Sequence, residues 1–282
     1  RVSGIGIPSY GHFLTRSKIG SLRLTPAGWD PTIAFMSEQA ESRVVRAPLV
    51  GLNRGELEGV LAGLGQPAFR ARQLSEWVYR HCAGSFDEMT NLSRPLREEL
   101  AQRFSVRSGE VVGERVSADG CRKLLLQFPD GCRVETVLLP YEDRTAVCVS
   151  TQVGCPVGCP FCATGLSGYT RNLTAGEIVE QVLTASCQLS AVSGQRSAIS
   201  DQRAAGGDDR SPSAALKSEI SNLKSEIAVT HVIFMGMGEP LLNYDNVLKA
   251  VRLLNEEVGI GRRRLTISTV GVVPAMDRLA AE

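Results

Sequence analysis

The residues best placed to do chemistry are three cysteines on one short loop, Cys155-Pro-Val-Gly-Cys159-Pro-Phe-Cys162. Three soft thiolates at C-x3-C-x2-C spacing can wrap one face of an iron–sulfur cluster. With three protein donors, one iron of a four-iron cluster stays open, and an open iron is a place for a substrate or cofactor to coordinate. Structural zinc normally takes four protein ligands, and the nearest histidines, His81 and His231, are far away in sequence. Zinc and three inert buried thiols are the competing readings. Gly154, Pro156, Gly158 and Pro160 let the loop bend tightly enough to present all three sulfurs.

The elements that must position this loop alternate strand and helix. Ala146–Gln152 predicts a strand leading into it and Thr174–Cys187 a helix leaving it. Val229–Met235 reads as a very apolar strand, Tyr244–Val258 as a helix and Arg264–Val270 as a strand, and Pro274 opens a last helix. Strands that are apolar without alternation are buried on both faces, as in a parallel sheet or barrel wall. Three strand–helix units are too few to close a barrel, so an open, interrupted one is expected.

Upstream, Asn53 can cap a helix with Glu56 as its capping-box partner, and Leu57, Val60, Leu61 and Leu64 form its apolar stripe up to Gly65. A second helix follows Pro67, with Phe69, Leu74, Trp77 and Val78 on one side, and a third runs from Arg94 to Phe104. Glu110–Ser117, Arg122–Phe128 and Arg133–Leu139 are β-prone runs separated by Ala118-Asp119-Gly120 and Pro129-Asp130-Gly131, which predicts an antiparallel meander. The domains expected are an irregular leader at 1–45, an accessory domain at 46–140 and a core at 141–282. A low-complexity insertion is expected at 188–228, where Leu216-Lys-Ser-Glu-Ile220 recurs as Leu223-Lys-Ser-Glu-Ile227.

The chain has 282 residues, 43% hydrophobic and 22% charged, with 31 basic against 30 acidic side chains. Disorder throughout is excluded, as is nucleic-acid binding by bulk charge, and no run reaches the roughly 20 apolar residues of a membrane span. Four of the eight cysteines (Cys148, Cys155, Cys159, Cys162) crowd together, whereas Cys82, Cys121, Cys132 and Cys187 are scattered. With no secretory pattern after Arg1, clustered thiols indicate metal or redox chemistry in the cytoplasm. Because the sequence starts without methionine and its last helix reads as cut off partway, it is expected to be a fragment.

A cysteine loop of this spacing after a first strand resembles the radical S-adenosylmethionine (SAM) enzymes. Further segments resemble the RlmN branch in particular: Cys148-Val-Ser-Thr-Gln-Val-Gly-Cys155, Phe161-Cys-Ala-Thr-Gly165 and Arg171-Asn-Leu-Thr174. Phe234-Met-Gly-Met-Gly-Glu-Pro-Leu-Leu-Asn243 and Leu265-Thr-Ile-Ser-Thr-Val-Gly271 do so as well. The resemblance covers about residues 50 to 282 apart from the insertion. It implies an α/β fold, a partial (β/α)6-type radical SAM barrel truncated after about three β/α units and preceded by a small accessory domain of helices and β-meander. It implies methylation of C2 of an adenosine in 23S rRNA and tRNA through a methyl-cysteine intermediate. A 4Fe-4S cluster, SAM and an electron donor such as flavodoxin would be required, in a monomer away from membranes.

Carried over by position, Cys155, Cys159 and Cys162 match the cluster ligands, and Gly238, Glu239 and Ser268 match cofactor contacts. Glu135 matches the proton acceptor, and Cys148 matches the thiol that resolves an enzyme–RNA adduct as a disulfide. The methyl-carrying cysteine of the family falls beyond Glu282, so this polypeptide is expected to assemble a cluster at most. Arg70-Ala-Arg72, Arg171 and Arg262-Arg-Arg264 are candidate RNA contacts. The rival readings are the sister enzyme that methylates C8 of the same ribosomal adenosine, and a non-catalytic iron–sulfur or RNA-binding fragment.

Overall fold

A computed structural model of the chain describes residues 46–166, 168–204 and 227–282, with only the backbone described for 190–204. The leader at 1–45 lies outside these residues, as do the two Leu-Lys-Ser-Glu-Ile copies except Ile227.

The helical unit is held by local signals. Helix α1 (Arg54–Ala62) starts on a capping box, Asn53 Oδ1 accepting from Glu56 N at 2.9 Å and Glu56 Oε2 from Asn53 N at 2.8 Å. It ends three residues before Gly65, which takes a φ of 67° in the turn to α2 (Phe69–Tyr79). Helix α3 (Arg94–Arg103) stops one residue short of the expected end, because Phe104 and Ser105 form strand β2, paired in parallel with β1 (Ala47–Pro48). Leu57, Leu61, Leu74, Val78, Leu96 and Leu100 are buried between these helices.

Strands β3 (Glu110–Val116), β4 (Arg122–Gln127) and β5 (Arg133–Pro140) form the meander. Gly120 and Gly131, with φ of 84° and 81°, supply the left-handed residue of each Asp-Gly turn. The meander continues directly into β6 (Thr145–Val149), which is antiparallel to β5 and parallel to β9 (His231–Phe234), itself parallel to β10 (Leu265–Ile267). Among the described residues this makes one mixed six-stranded sheet of order β10-β9-β6-β5-β4-β3, without a break at 140/141.

The first core strand is shorter than the expected Ala146–Gln152. It ends at Val149, and Gln152–Gly154 becomes β7, paired antiparallel with β8 (Tyr169–Asn172), with the short helix α4 (Ala163–Leu166) between them in sequence. Ser150 and Thr151 are drawn out of the ladder: Gln181 Oε1 accepts from Ser150 N at 2.8 Å, and the Met237 carbonyl accepts from Thr151 N at 2.8 Å. Two helices also differ from expectation. The helix expected at 174–187 is α5 (Ala175–Ala204), which continues well into the segment read as an insertion. That segment is rich in Ala and Gln, which favour helix. The helix expected at 244–258 is α6 (Tyr244–Leu253), followed by a single π turn (Leu254–Val258) and Gly259 at φ 93°. The last helix, α7 (Val273–Ala281), has Pro274 in its first turn.

Helix α5 covers one face of the sheet. Val134, Thr136 and Leu138 of β5, Val147 and Val149 of β6, and Val232 and Phe234 of β9 are buried on that side, with Thr136 Oγ1 donating to Gln181 Oε1 at 2.8 Å. Side chains of the alternate residues stand on the other face. Register places Lys123, Glu135, Val137, Cys148, Ile233 and Thr266 there, all half-buried or exposed.

Candidate active site on the open face of the sheet

Cys148 sits opposite Val137, and Glu135 lies two residues along the same strand. Their side chains are therefore diagonal neighbours on the open face, about 7–8 Å apart at that spacing. Burial pushes the Cys148 thiol up from its ordinary value, so it is a protonated thiol at neutral pH. The Glu135 carboxylate is half-exposed and pairs with Lys123 at 2.9 Å. It stands at the rim of a cavity of about 410 Å³ lined also by Gly113, Glu114, Arg115 and Leu125. Ser268 follows β10, with its N–H continuing the ladder to the Phe234 carbonyl at 3.2 Å. Alternation from Thr266 puts its side chain on the same open face. Glu135, Cys148 and Ser268, widely separated in sequence, thus share one surface.

The two candidate binding loops leave adjacent strand ends. Gly236-Met237-Gly238 runs against residues 149–152: Gly236 N donates to the Val149 carbonyl at 2.9 Å and Met237 N to Ser150 Oγ at 2.9 Å. A Cβ on Gly236 would come within 2.7 Å of Ser150 N, and one on Gly238 within 2.8 Å of Gln152 N. Gly238 also has φ 98°, so only glycine fits without strain. Glu239 is 3% exposed and its carboxylate is fully engaged. It accepts from Leu241 N at 3.0 Å, Thr269 Oγ1 at 2.7 Å and Val270 N at 2.9 Å. In this arrangement Glu239 ties the loop after β9 to the loop after β10.

The cysteine loop departs from β7. Gly154, at φ 76°, passes so close to β8 that a Cβ would overlap the Gly168 carbonyl, and Cys155 N donates to that carbonyl at 2.9 Å. Cys155, Cys159 and Cys162 are free and half-buried. The N–H groups of Gly165 and Thr164, with the Thr164 hydroxyl, hold the Cys162 thiol below its ordinary value. Among the described residues, no three Cys, His, Asp or Glu side chains stand close enough together to share one metal ion, so the three sulfurs do not converge on a common point. By donor chemistry they nevertheless fit a thiolate-held cluster: three soft sulfurs, none in a disulfide, on one glycine-hinged loop.

Two sequence expectations change in the structure. Arg171 is not free to meet RNA, since it pairs with Glu177 through two bonds of 2.9 and 2.8 Å and with Asp130 at 2.6 Å. It is a staple between the second hairpin turn, β8 and the start of α5. Cys82 and Cys187, read as scattered, lie side by side, with the Cys187 sulfur 3.7 Å from the Cys82 carbonyl oxygen. The sequence reading also missed Gln181 and Ser150, whose hydrogen bonds fix the end of β6. A buried glutamine among Ile178, Val179, Val182 and Leu183 was the available signal.

The family model described as the ribosomal RNA large subunit methyltransferase N-terminal domain matches residues 47–106, which span β1 to the end of the helical unit. The structure superimposes, at a TM-score of 0.67 and 44% sequence identity, on the crystal structure of a radical SAM methyltransferase from Sphaerobacter thermophilus. That match takes in 84% of this chain and 60% of the other. The N-terminal unit matches that family model and the sheet resembles that methyltransferase, so the chain is similar to the RlmN-type radical SAM methyltransferases.

Proposed function

We propose that the chain carries the N-terminal unit and the first part of the catalytic core of an enzyme that methylates C2 of an adenosine in ribosomal and transfer RNA. Residues 46–140 would be its RNA-binding accessory domain, and the parallel strands β6, β9 and β10 the first part of a (β/α)6 barrel wall. The observation that carries this reading is the convergence of Cys148, Glu135 and Ser268 on one open face, with the cysteine and Gly-Met-Gly-Glu loops at the adjoining strand ends.

Cys155, Cys159 and Cys162 would hold a four-iron cluster that works with SAM. Once bound, the pair would supply one-electron cleavage of the SAM sulfonium. The chain's own residues then divide the remaining work. Gly238 lets its loop pack tightly against Gln152, Glu239 holds that backbone against the Thr269–Val270 turn, and with Ser268, whose hydroxyl comes from the third strand, they would face the cofactor. Cys148, protonated and half-buried, is the thiol that attacks to release the methylated base as a disulfide forms. Glu135 accepts the proton from the modified ring carbon, its charge balanced by Lys123. Lys123 and Arg115 beside Glu135 would draw RNA phosphates to this face.

The test begins with protein reconstituted anaerobically with iron and sulfide, reduced and given SAM. The expected result is a brown protein with a 4Fe-4S electron paramagnetic resonance signal that changes on adding SAM, and, from the complete enzyme, release of 5′-deoxyadenosine. Each of Cys155→Ala, Cys159→Ala and Cys162→Ala should abolish both. A colourless protein carrying tetrahedral zinc overturns the reading. NMR of the product nucleoside formed by the complete enzyme should place the methyl on C2, and a methyl on C8 would assign the chain to the sister activity.

A further inference from the structure

Cys82 follows α2 and Cys187 lies within α5, 105 residues later, with the Cys187 sulfur 3.7 Å from the Cys82 carbonyl oxygen. The Cys82 sulfur also lies 3.9 Å from the Leu183 carbonyl oxygen. Cys82 has a φ of 53°, which a side chain with a Cβ rarely adopts. From the other side comes Arg107, on the segment between β2 and β3. Its Nη2 reaches the Cys187 sulfur at 3.2 Å, and among the described residues its Nε has no hydrogen-bond partner. A largely buried guanidinium needs an anion. The carboxylate of Glu180, which acts on it, is already taken up by Ser108 N, Ser108 Oγ and Gly109 N. The sulfur of Cys187 is therefore the partner the geometry leaves for Arg107.

We infer that Cys82 and Cys187 form a reversible dithiol–disulfide site, activated by Arg107 and oxidised by a peroxide, separate from the cysteine loop and from Cys148. The neighbouring Cys82 thiol and the charge of Arg107 hold the Cys187 thiol below its ordinary value of 9.0. That raises the share present as thiolate, the reactive form. The Cys187 thiolate attacks one peroxide oxygen, forming an S–O bond and breaking the O–O bond, and leaves as a sulfenic acid while the released hydroxide takes up a proton. The Cys82 sulfur then attacks the sulfenic sulfur, the S–S bond forms and water departs. Two thiols lose two electrons and two protons, and the peroxide is reduced to two waters. The product is a covalent tie between the end of α2 and the middle of α5, so oxidation would lock the helical unit onto the core sheet.

The chain is reduced, desalted anaerobically, exposed to an equivalent of hydrogen peroxide at pH 7, quenched with N-ethylmaleimide and digested. Mass spectrometry should find the Cys82 and Cys187 peptides joined, two hydrogens lighter than their sum, and separated again by dithiothreitol. Because the link is assigned by peptide, oxidation of other cysteines does not obscure it. Recovery of both peptides alkylated, or of either joined to a different cysteine, overturns the inference. Two variants test the activating group. Arg107→Gln should slow formation of the link about fivefold, the gain in intrinsic nucleophilicity offsetting part of the lost thiolate. Arg107→Lys, which keeps a charge in place, should restore most of the rate, and equal rates in all three proteins would remove Arg107 from the site.

Discussion

Gly238 illustrates how single positions set the shape of the candidate site. A Cβ there meets Gln152 backbone and demands a left-handed conformation, whereas Gly65 at φ 67° has open space around it. Gly238→Ala should cost roughly 2–4 kcal/mol and Gly65→Ala only about 1 kcal/mol, as read from urea unfolding midpoints. A near-equal cost would mean that conformation alone, and not the close approach, is what the glycine serves. Glu239 makes a second case. Glu239→Gln puts an N–H group where one of three donors now points, which should cost about 2 kcal/mol and speed amide exchange at Val270 or Leu241. The glycines of both loops were legible in sequence because glycine is itself the signal for tight approach. The partnership of Cys82 with Cys187 was not legible, since nothing local links residues 105 apart.

At the scale of elements, β8 is held by Arg171 between the Asp130 turn and Glu177 of α5. The Arg171 guanidinium holds the Asp130 carboxyl below its ordinary value of 3.8. A carboxylate with a depressed folded value contributes stability above its unfolded value and loses it as pH falls through the folded one. Protection of β8 and the cysteine loop in hydrogen exchange should therefore be steady from pH 7 to 5 and weaken below about pH 4. Asp130→Asn should be weaker throughout and lack its share of that pH dependence. The π turn after α6 aims Glu257 at the helical unit, where it accepts from Arg54 N at 3.0 Å and from the Ser75 hydroxyl, while its carbonyl accepts from Arg80 Nε at 2.9 Å. Glu257→Ala should loosen α1 and α2 by about 2–4 kcal/mol in local opening, leaving several donors without a partner. Strand and helix order was readable from periodicity, but this turn was not, because apolar spacing runs through Val247, Ala250, Leu254 and Val258 without a visible break. The early end of β6 escaped for a related reason, as a distant loop and Gln181 outcompete strand pairing.

At the scale of the whole molecule, the described residues from Arg46 to Glu282 form one compact unit. The sheet crosses the expected boundary, and burial is continuous from Leu57 to Phe234. Hydrogen exchange in rising urea should therefore release the amides of β4, β5, β6 and β9 at one denaturant concentration, and a separate earlier release of β3–β5 would count against this cooperativity. Sequence patterning registers which residues are apolar, but not that a meander and a parallel wall share a ladder, because that pairing joins backbones whatever the side chains. Residues 149–152 have a further role in this architecture. The glycine-rich turn rests on them from one side and the cysteine loop springs from them on the other. Both are positioned from a common datum, so small errors in the surrounding helices shift the pair together and do not accumulate between them, and neither loop has to be rigid on its own for the two to meet in alignment.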